Sequence, residues 1–125
     1  MDIVELDRVE AVLSGPAGER FVARVLTERE REVLASMPSK RRVQYVAGRF
    51  AMKEAVVKAL GCGIGALAGF QDIEAMPDEY GKPICRLSVA AMARLGLAER
   101  PPLIHVAITH ERSMAASTAV IEQVS

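Results

Sequence analysis

The sequence predicts an α+β domain in which an antiparallel sheet wraps around one long helix. Three observations support this prediction. Apolar residues recur every three or four positions between residues 39 and 60, which is the spacing of a helix with a buried face. Segments rich in Val, Ile and Thr near both ends of the chain indicate strands. The length of 125 residues suits one domain, residues 1–125, with the order β-α-α-β-β-α-β-β.

The N-terminal third is predicted to hold a strand followed by short helices. Residues 2–6 predict the strand, and helical spacing follows until the Gly-Pro pair at residues 15–16 interrupts it. Thr27 and Glu30 have the spacing of a capping box, so a further helix is expected from there to about Met37.

The long helix is the element that the sequence defines best. Ser39 is expected to cap it and Gly61 to end it, so that it covers residues 39–60. Its spacing predicts one buried face, made of Val43, Val46, Ala47, Phe50, Ala51, Val57 and Leu60.

The C-terminal half is predicted to supply most of the sheet. Strands over residues 70–76 and 82–87 form a hairpin across a turn. Ser88 is expected to cap a helix over residues 89–95. Strands over residues 103–109 and 115–124 follow, separated by a turn from His110 to Ser113.

The composition excludes several classes of protein. The 16 Lys and Arg residues balance the 16 Asp and Glu residues, so the positive excess of a nucleic-acid-binding surface is missing. No apolar run is long enough to span a membrane, and the acidic start is unlike a signal peptide. Cys62 and Cys85 form no disulfide or zinc pattern, which favours a cytoplasmic location.

Two carboxylates and a lysine are the first candidates for chemistry. Glu54 and Lys58 continue the row of Ala47 and Phe50, because each step of four residues advances about 40° around a helix. A partly buried carboxylate favours a lysine or a metal as its partner. Asp2 could add a second oxygen ligand, and two carboxylates with phosphate oxygens suit Mg²⁺. The alternatives are an ordinary surface Glu–Lys pair and a solvated Asp2.

Histidines and arginines give further candidates. His105 and His110 are five residues apart on one strand, so they are expected to point to opposite faces rather than to form a metal pair. Arg49 and the basic stretch 40–42 suit the capture of a phosphate. Docking of an acidic protein is the function that suits Arg8, Arg20 and Arg24. Solvation and pairing with Glu residues is the alternative for all these arginines.

The glycine-rich loop 61–65 matches neither a P-loop nor a dinucleotide-binding fingerprint. Close approach of its backbone to a phosphate and a plain helix end both stay open. The residues by themselves therefore indicate an α+β domain with a Mg²⁺–phosphate ligand.

Five motifs occur in an order that resembles one protein family. They are residues 2–8 (Asp-Ile-Val-Glu-x-x-Arg), 49–61 (Arg-Phe-Ala-Met-Lys-Glu-Ala-x-x-Lys-Ala-x-Gly), 70–74 (Phe-Gln-Asp-Ile-Glu), 81–83 (Gly-Lys-Pro) and 105–111 (His-Val-Ala-Ile-Thr-His-Glu). The second motif is highly specific, and the match covers essentially the whole chain. The sequence therefore resembles holo-[acyl-carrier-protein] synthase, the small bacterial 4′-phosphopantetheinyl transferase family.

The resemblance implies a reaction and an assembly. Coenzyme A binds with Mg²⁺ on its pyrophosphate, and a serine hydroxyl of apo acyl carrier protein attacks the β-phosphate. The phosphopantetheine arm passes to the serine, adenosine 3′,5′-bisphosphate leaves, and the product supports fatty-acid biosynthesis. The resemblance also implies a homotrimer with active sites between subunits.

The same resemblance implies roles for individual residues. Asp2 and Glu54 would bind the metal, and Lys58 would contact the phosphates. Glu54, Lys58 or a water on the metal would help to remove the serine proton. His110 and its neighbour Glu111 would belong to the active site.

Two further sets of residues complete the implied site. Arg49 and His105 would hold the adenosine end of coenzyme A, and Gly61 belongs to the same cofactor-binding set. The carrier protein would lie against Arg8, Arg20 and Arg24.

Two other interpretations stay open. The resemblance implies several residues before the aspartate of the first motif, whereas only Met1 precedes Asp2. The chain could therefore be a binding module for coenzyme A or a carrier protein that has lost turnover through a shortened N-terminus. The last interpretation is a structural protein in which Glu54 and Lys58 form an ordinary helix pair.

Overall fold

The computed structural model describes residues 1–123 and confirms the α+β class. Its helices and strands are, in chain order, β1 (Asp2–Glu5), α1 (Leu6–Ser14), α2 (Gly18–Val25), α3 (Glu28–Ala35), α4 (Ser39–Leu60), β2 (Ile73–Pro77), β3 (Pro83–Leu87), α5 (Val89–Arg94), β4 (Leu103–His110) and β5 (Met114–Glu122). A single turn of 3₁₀ helix, Phe70–Asp72, precedes β2.

Antiparallel strands pack around the long helix α4, as the sequence predicts. β1, β5 and β4 form a three-stranded sheet in that order, and β2 and β3 form a separate hairpin. In β4 the even-numbered side chains face α4: Val106 is buried, whereas His105 and Ala107 are exposed. In the part of the chain described here, no helix is both long and apolar enough to cross a membrane.

The long helix is buried on more sides than its sequence pattern predicts. Met52, Lys53, Ala55 and Val56 are buried although they lie outside the expected apolar face. The sheet packs on one side of α4, while α1 to α3 and the β2–β3 hairpin contact it elsewhere. The expectation of a single buried face is therefore wrong, because several layers surround this helix.

Several predicted boundaries differ from the structure. Leu6 begins α1 instead of ending β1, because its side chain is buried in the core beside α1. Pro38, and not Ser39, is the N-cap residue of α4, and no side chain caps that end. The stretch Phe70–Asp72 is helical, so the strand starts at Ile73.

The last hairpin also differs in extent. His110 still pairs with Ala115, so β4 runs one residue beyond its predicted end and the predicted turn loses its first residue. β5 ends at Glu122. Val124, the predicted end of this strand, lies outside the described residues. The predicted order has two helices before the first hairpin, whereas the structure has four, α1 to α4.

Apart from the Ser39 cap, the predicted end signals of helices, at Thr27, Gly61 and Ser88, are confirmed. Thr27 Oγ1 accepts from the Glu30 N–H at 3.3 Å, and Glu30 Oε1 accepts from the Thr27 N–H at 2.9 Å, which completes the capping box. Ser88 caps α5 through the Ala91 N–H. Gly61 ends α4 with a φ of 81°, a conformation that glycine adopts without strain.

Gly18, at the start of α2, allows the tightest backbone contact of any glycine in the described range. A Cβ atom there would lie 2.5 Å from the carbonyl oxygen of Leu13, a backbone atom that cannot rotate away. We expect Gly18→Ala to lower the free energy of unfolding by about 2 kcal/mol, because it overpacks this contact. Urea denaturation measures the change. Gly63→Ala is the control, since nothing lies within 4 Å of its Cβ position. Equal stability of the two variants would contradict this contact.

Candidate active site

The first group of candidate residues lies where β1 meets α4. Lys58 Nζ donates to Asp2 Oδ1 at 2.8 Å. This hydrogen bond raises the pKa of Lys58, and Glu54 adds a smaller effect in the same direction. The pairing of Asp2 with Ser117 of β5 holds the aspartate in the sheet. The structure therefore brings Asp2, Glu54 and Lys58 together, and Lys58 carries a positive charge.

The ion pair of Lys58 is not the one considered from the sequence. The sequence leaves a helix pair with Glu54 open as an alternative, but the lysine pairs with Asp2 instead. Glu54 is half-buried, as expected for the edge of the helix face. Its carboxylate stands one helical turn before Lys58 and makes no ion pair with any residue of the described chain.

The oxygen atoms of this group fit a hard divalent cation. Asp2 Oδ2 is buried and accepts no hydrogen bond within residues 1–123, although buried polar atoms are normally paired. Glu54, which lies close enough to Lys58 to raise its pKa, supplies a second carboxylate. Mg²⁺ prefers oxygen ligands and commonly takes one or two protein carboxylates. Across the described residues no cluster of three or more His, Cys, Asp or Glu side chains occurs that could hold a metal alone.

The second group lies in a cleft of about 390 Å³ that contains Arg49 and His110. Residues of α3, α4, β4 and the β2–β3 hairpin line it. Arg41, Gln44 and Tyr45 add cationic and polar side chains, and no Asp or Glu is among the described lining residues. A concave site with this charge suits an anion.

Close packing of β4 against α4 places His110 in the cleft. A Cβ atom at Gly48 would lie 2.9 Å from Cγ2 of Ile108, so the glycine permits the strand to approach the helix closely. His110 follows Ile108 on the same face of β4. The guanidinium of Arg49 lies 4.5 Å from the ring centroid of Tyr45, and its Nη2 donates to the Ala75 carbonyl at 3.3 Å.

Two predicted cofactor-binding residues lie outside the cleft. His105 is exposed on the opposite face of β4, where its Nε2 is 2.7 Å from Glu122 Oε1. The expectation that the two histidines face opposite ways is thus confirmed. Gly61 is exposed at the end of α4 and does not line the cleft. The binding roles of His105 and Gly61 stay predictions.

The two groups are apart on the same helix. Arg49 and Lys58 are nine residues apart in α4, which corresponds to about 13.5 Å along the axis and to opposite sides of the helix. The structure therefore brings each group together but does not join the two groups within one chain.

A third surface carries the arginines predicted to face an acidic protein. Arg8 lies on α1, and Arg20 and Arg24 lie one turn apart on α2, all three exposed. Arg8 borders an apolar groove of about 360 Å³ whose lining includes Val9 and Phe21. Exposed arginines beside an apolar groove suit an acidic amphipathic partner.

Lys53 has a structural role that our sequence reasoning missed. It is fully buried, and its Nζ donates to Glu30 Oε1 at 2.6 Å and to the carbonyls of Val25 and Phe70 at 2.7 and 3.0 Å. Burial lowers the pKa of Lys53, and Glu30 acts in the opposite direction. Glu30 Oε2 also accepts from the Ala75 N–H at 3.0 Å, so the pair links α3, α4 and β2.

A sequence signal for this burial existed. Lys53 follows Phe50 by three residues and precedes Val56 and Val57 by three and four, so apolar side chains surround it on the helix surface. Tyr45 has no such signal, because its neighbours on the helix surface are Arg41, Arg42, Gly48 and Arg49.

Comparison with known protein families identifies the chain. The model of the 4′-phosphopantetheinyl transferase superfamily matches residues 1–118. The chain belongs to the 4′-phosphopantetheinyl transferase superfamily. This confirms the family resemblance that the five motifs indicate.

Relatives within this superfamily match along nearly their whole length. The chain is 46% identical over 125 residues to the holo-[acyl-carrier-protein] synthase of Bacillus velezensis, covering 100% of this chain and 94% of the relative. It is 42% identical over 125 residues to the same enzyme of Halalkalibacterium halodurans, with the same two coverages. Among solved structures it resembles the holo-(acyl-carrier-protein) synthase of Bacillus anthracis in complex with CoA (3′,5′-ADP). That match has a TM-score of 0.82 and 38% identity, covering 99% of this chain and 93% of the other.

Proposed function

We propose that this phosphopantetheinyl transferase is a holo-[acyl-carrier-protein] synthase. It transfers the 4′-phosphopantetheine arm of coenzyme A to a serine of apo acyl carrier protein and releases adenosine 3′,5′-bisphosphate. The observation that carries the proposal is the pairing of Asp2 with a charged Lys58 beside Glu54, within a chain whose full-length relatives bear that name. Phosphoryl transfer depends mainly on positioning and charge neutralisation, which such a group supplies.

Each residue of the first group has a distinct task. Asp2 and Glu54 would hold Mg²⁺, which when bound neutralises charge on the pyrophosphate of coenzyme A. Lys58 contacts phosphate oxygens as a cation. A lysine is protonated at neutral pH and accepts no further proton, so Glu54 is the better of the two residues to take the serine proton.

The cleft would hold the adenosine end of coenzyme A. Arg49 and His110 face it, and no carboxylate among its described lining residues competes for the arginine. This assignment keeps the predicted role of Arg49 and extends the role of His110 to ligand binding. The exposed arginines Arg8, Arg20 and Arg24 would contact the acyl carrier protein, and Arg8 borders an apolar groove that would add to this surface.

A homotrimer would bring the two groups of residues together. They lie on opposite sides of α4 in one chain, so a complete site needs a neighbouring subunit. The outer face of the three-stranded sheet supports such an assembly, since apolar Ile3, Leu103 and Val120 are 55%, 53% and 58% exposed on it. Exposed apolar side chains that share one face of a sheet are available for burial between subunits.

We expect Val120→Asp to produce monomers, because it adds a second carboxylate beside Glu122 on this face, and burying a further charge between subunits is costly. Light scattering after size-exclusion chromatography measures the mass, and the transfer rate should fall with it. Val89→Asp is the matched control, because Val89 is 79% exposed on α5, away from the sheet. A Val120→Asp variant that keeps the mass of the unchanged protein would exclude this face as the interface.

The cytoplasmic location and the role in fatty-acid biosynthesis stay predictions. The location rests on the two cysteines, which are both free. The choice of carrier protein decides the pathway.

Intact-mass spectrometry of apo acyl carrier protein tests the proposed function. The carrier is incubated with the enzyme, coenzyme A and Mg²⁺, and a carrier whose acceptor serine is replaced by Ala serves as the control. We expect one phosphopantetheine adduct on the unchanged carrier and none on the control. Calorimetric binding of coenzyme A without an adduct would instead favour the binding module.

A further inference from the structure

Tyr45 lies beneath the cationic group of the cleft. It precedes Arg49 by one turn of α4, and its ring centroid is 4.5 Å from the guanidinium carbon. The side chain is about nine-tenths buried, and its hydroxyl has no hydrogen-bond partner within the described range. Neither the family comparisons nor the sequence motifs assign a role to this residue.

Arg49 carries a charge that no carboxylate neutralises. None of the ion pairs in residues 1–123 includes it, and its Nε is buried without a hydrogen-bond partner. Its one hydrogen bond in this range goes to the Ala75 carbonyl at 3.3 Å, a long distance for such a bond. A partly buried cation without a counter-ion is costly, which points to an anionic ligand.

The aromatic ring of Tyr45 stabilises the charge of Arg49 in place of a carboxylate. A guanidinium over a tyrosine face is stabilised without losing its N–H donors, and stacking fixes the plane in which those donors point. Burial raises the pKa of Tyr45, and Arg49 acts in the opposite direction. A phenol is neutral at neutral pH and can donate its own hydrogen bond. Arg49 Nε and the Tyr45 hydroxyl are therefore two buried donors, both unpartnered within residues 1–123, beside one cationic cleft.

We infer that Tyr45 is a positioning residue that orients Arg49 for a phosphate group of coenzyme A. The ring holds the guanidinium, and the hydroxyl adds a smaller polar contribution. This inference rests on the proposed function, because the ligand is the co-substrate of that reaction. Coenzyme A carries both a 3′-phosphate and a pyrophosphate, and either group has the required chemistry.

Calorimetry of coenzyme A binding to Tyr45→Phe and Tyr45→Leu tests the inference. We expect Kd to rise about threefold for Phe, which keeps the ring, and at least tenfold for Leu, which removes it. The Michaelis constant for coenzyme A should rise in the same order, while kcat changes less than threefold. Tyr80→Leu is the matched control, since Tyr80 is 87% exposed and does not line the cleft. Thermal unfolding of each variant separates a loss of folding from a loss of affinity.

Either of two results for the Tyr45 variants would contradict this role of the ring. A Leu variant that binds within twofold of the unchanged protein would overturn the inference, and so would a Phe variant as weak as the Leu variant. Dephospho-coenzyme A, which lacks the 3′-phosphate, identifies the phosphate. If the Leu effect disappears with it, Arg49 binds the 3′-phosphate; if the effect persists, Arg49 binds the pyrophosphate.

The two hypotheses can fail separately. Absence of transfer by the unchanged protein would refute the proposed function, whereas normal transfer with an unaltered Tyr45→Leu variant refutes only the role of Tyr45.

Discussion

Glu54→Gln is expected to lower the initial rate of phosphopantetheine transfer at least a hundredfold. The substitution keeps the shape of the side chain but removes one of the two carboxylates at the junction of β1 and α4. Electrostatic groups aimed at the reacting centre are commonly worth ~100- to 1,000-fold in rate. Intact-mass spectrometry of the carrier protein at short times measures the rate, and Glu99→Gln, an exposed residue after α5, is the control.

A second measurement on the same variant separates metal binding from catalysis. Titration with Mn²⁺, followed by electron paramagnetic resonance, is expected to show weaker binding to Glu54→Gln than to the Glu99→Gln control. Unchanged transfer and unchanged Mn²⁺ binding together would remove Glu54 from the site and leave it as a helix-surface residue.

Lys53→Met is expected to lower the free energy of unfolding by about 3–5 kcal/mol, because it leaves the Glu30 carboxylate buried without its cation. Both side chains are fully buried, so solvent does not compensate for the loss. Urea denaturation measures the effect. Arg8→Ala, which breaks an exposed ion pair with Glu5, should change stability little.

The double variant Lys53→Met with Glu30→Gln provides the decisive comparison. Removing both charges abolishes the buried unpaired carboxylate, so we expect the double variant to be more stable than Lys53→Met. The recovery is partial, because the Gln amide can accept only one of the two backbone N–H bonds that Glu30 accepts. A double variant less stable than the single variant would show that the pair contributes by hydrogen-bond geometry and not by charge.

The sequence predicts the fold class and helix ends because these depend on local patterns. The Thr27 capping box, the Ser88 cap and the Gly61 helix end involve residues within a few positions of one another. The extent of burial around α4 is different in kind. Lys53 is buried against Glu30 of α3, which is 23 positions away in the sequence. Helical periodicity relates only residues three or four positions apart, so it cannot predict this contact.

The candidate site also combines neighbours set by helix spacing with contacts between distant parts of the chain. The row from Phe50 to Glu54 and Lys58 follows from helix spacing alone. The contact between Asp2 and Lys58 spans 56 positions and depends on the pairing of β1 with β5. Tyr45 lies one helical turn before Arg49, so its proximity also follows from helix spacing. His110 comes close to this pair only in the folded chain, where Gly48 lets β4 approach α4.

The most direct test of the central claim counts both products in one reaction. The chain is mixed with apo acyl carrier protein, coenzyme A and Mg²⁺, and the carrier adduct and adenosine 3′,5′-bisphosphate are quantified together, with EDTA in a parallel tube. We predict equal amounts of the two products, and neither product with EDTA. Adenosine 3′,5′-bisphosphate without a carrier adduct, or no product in the presence of Mg²⁺, would contradict the assignment as a phosphopantetheine transferase.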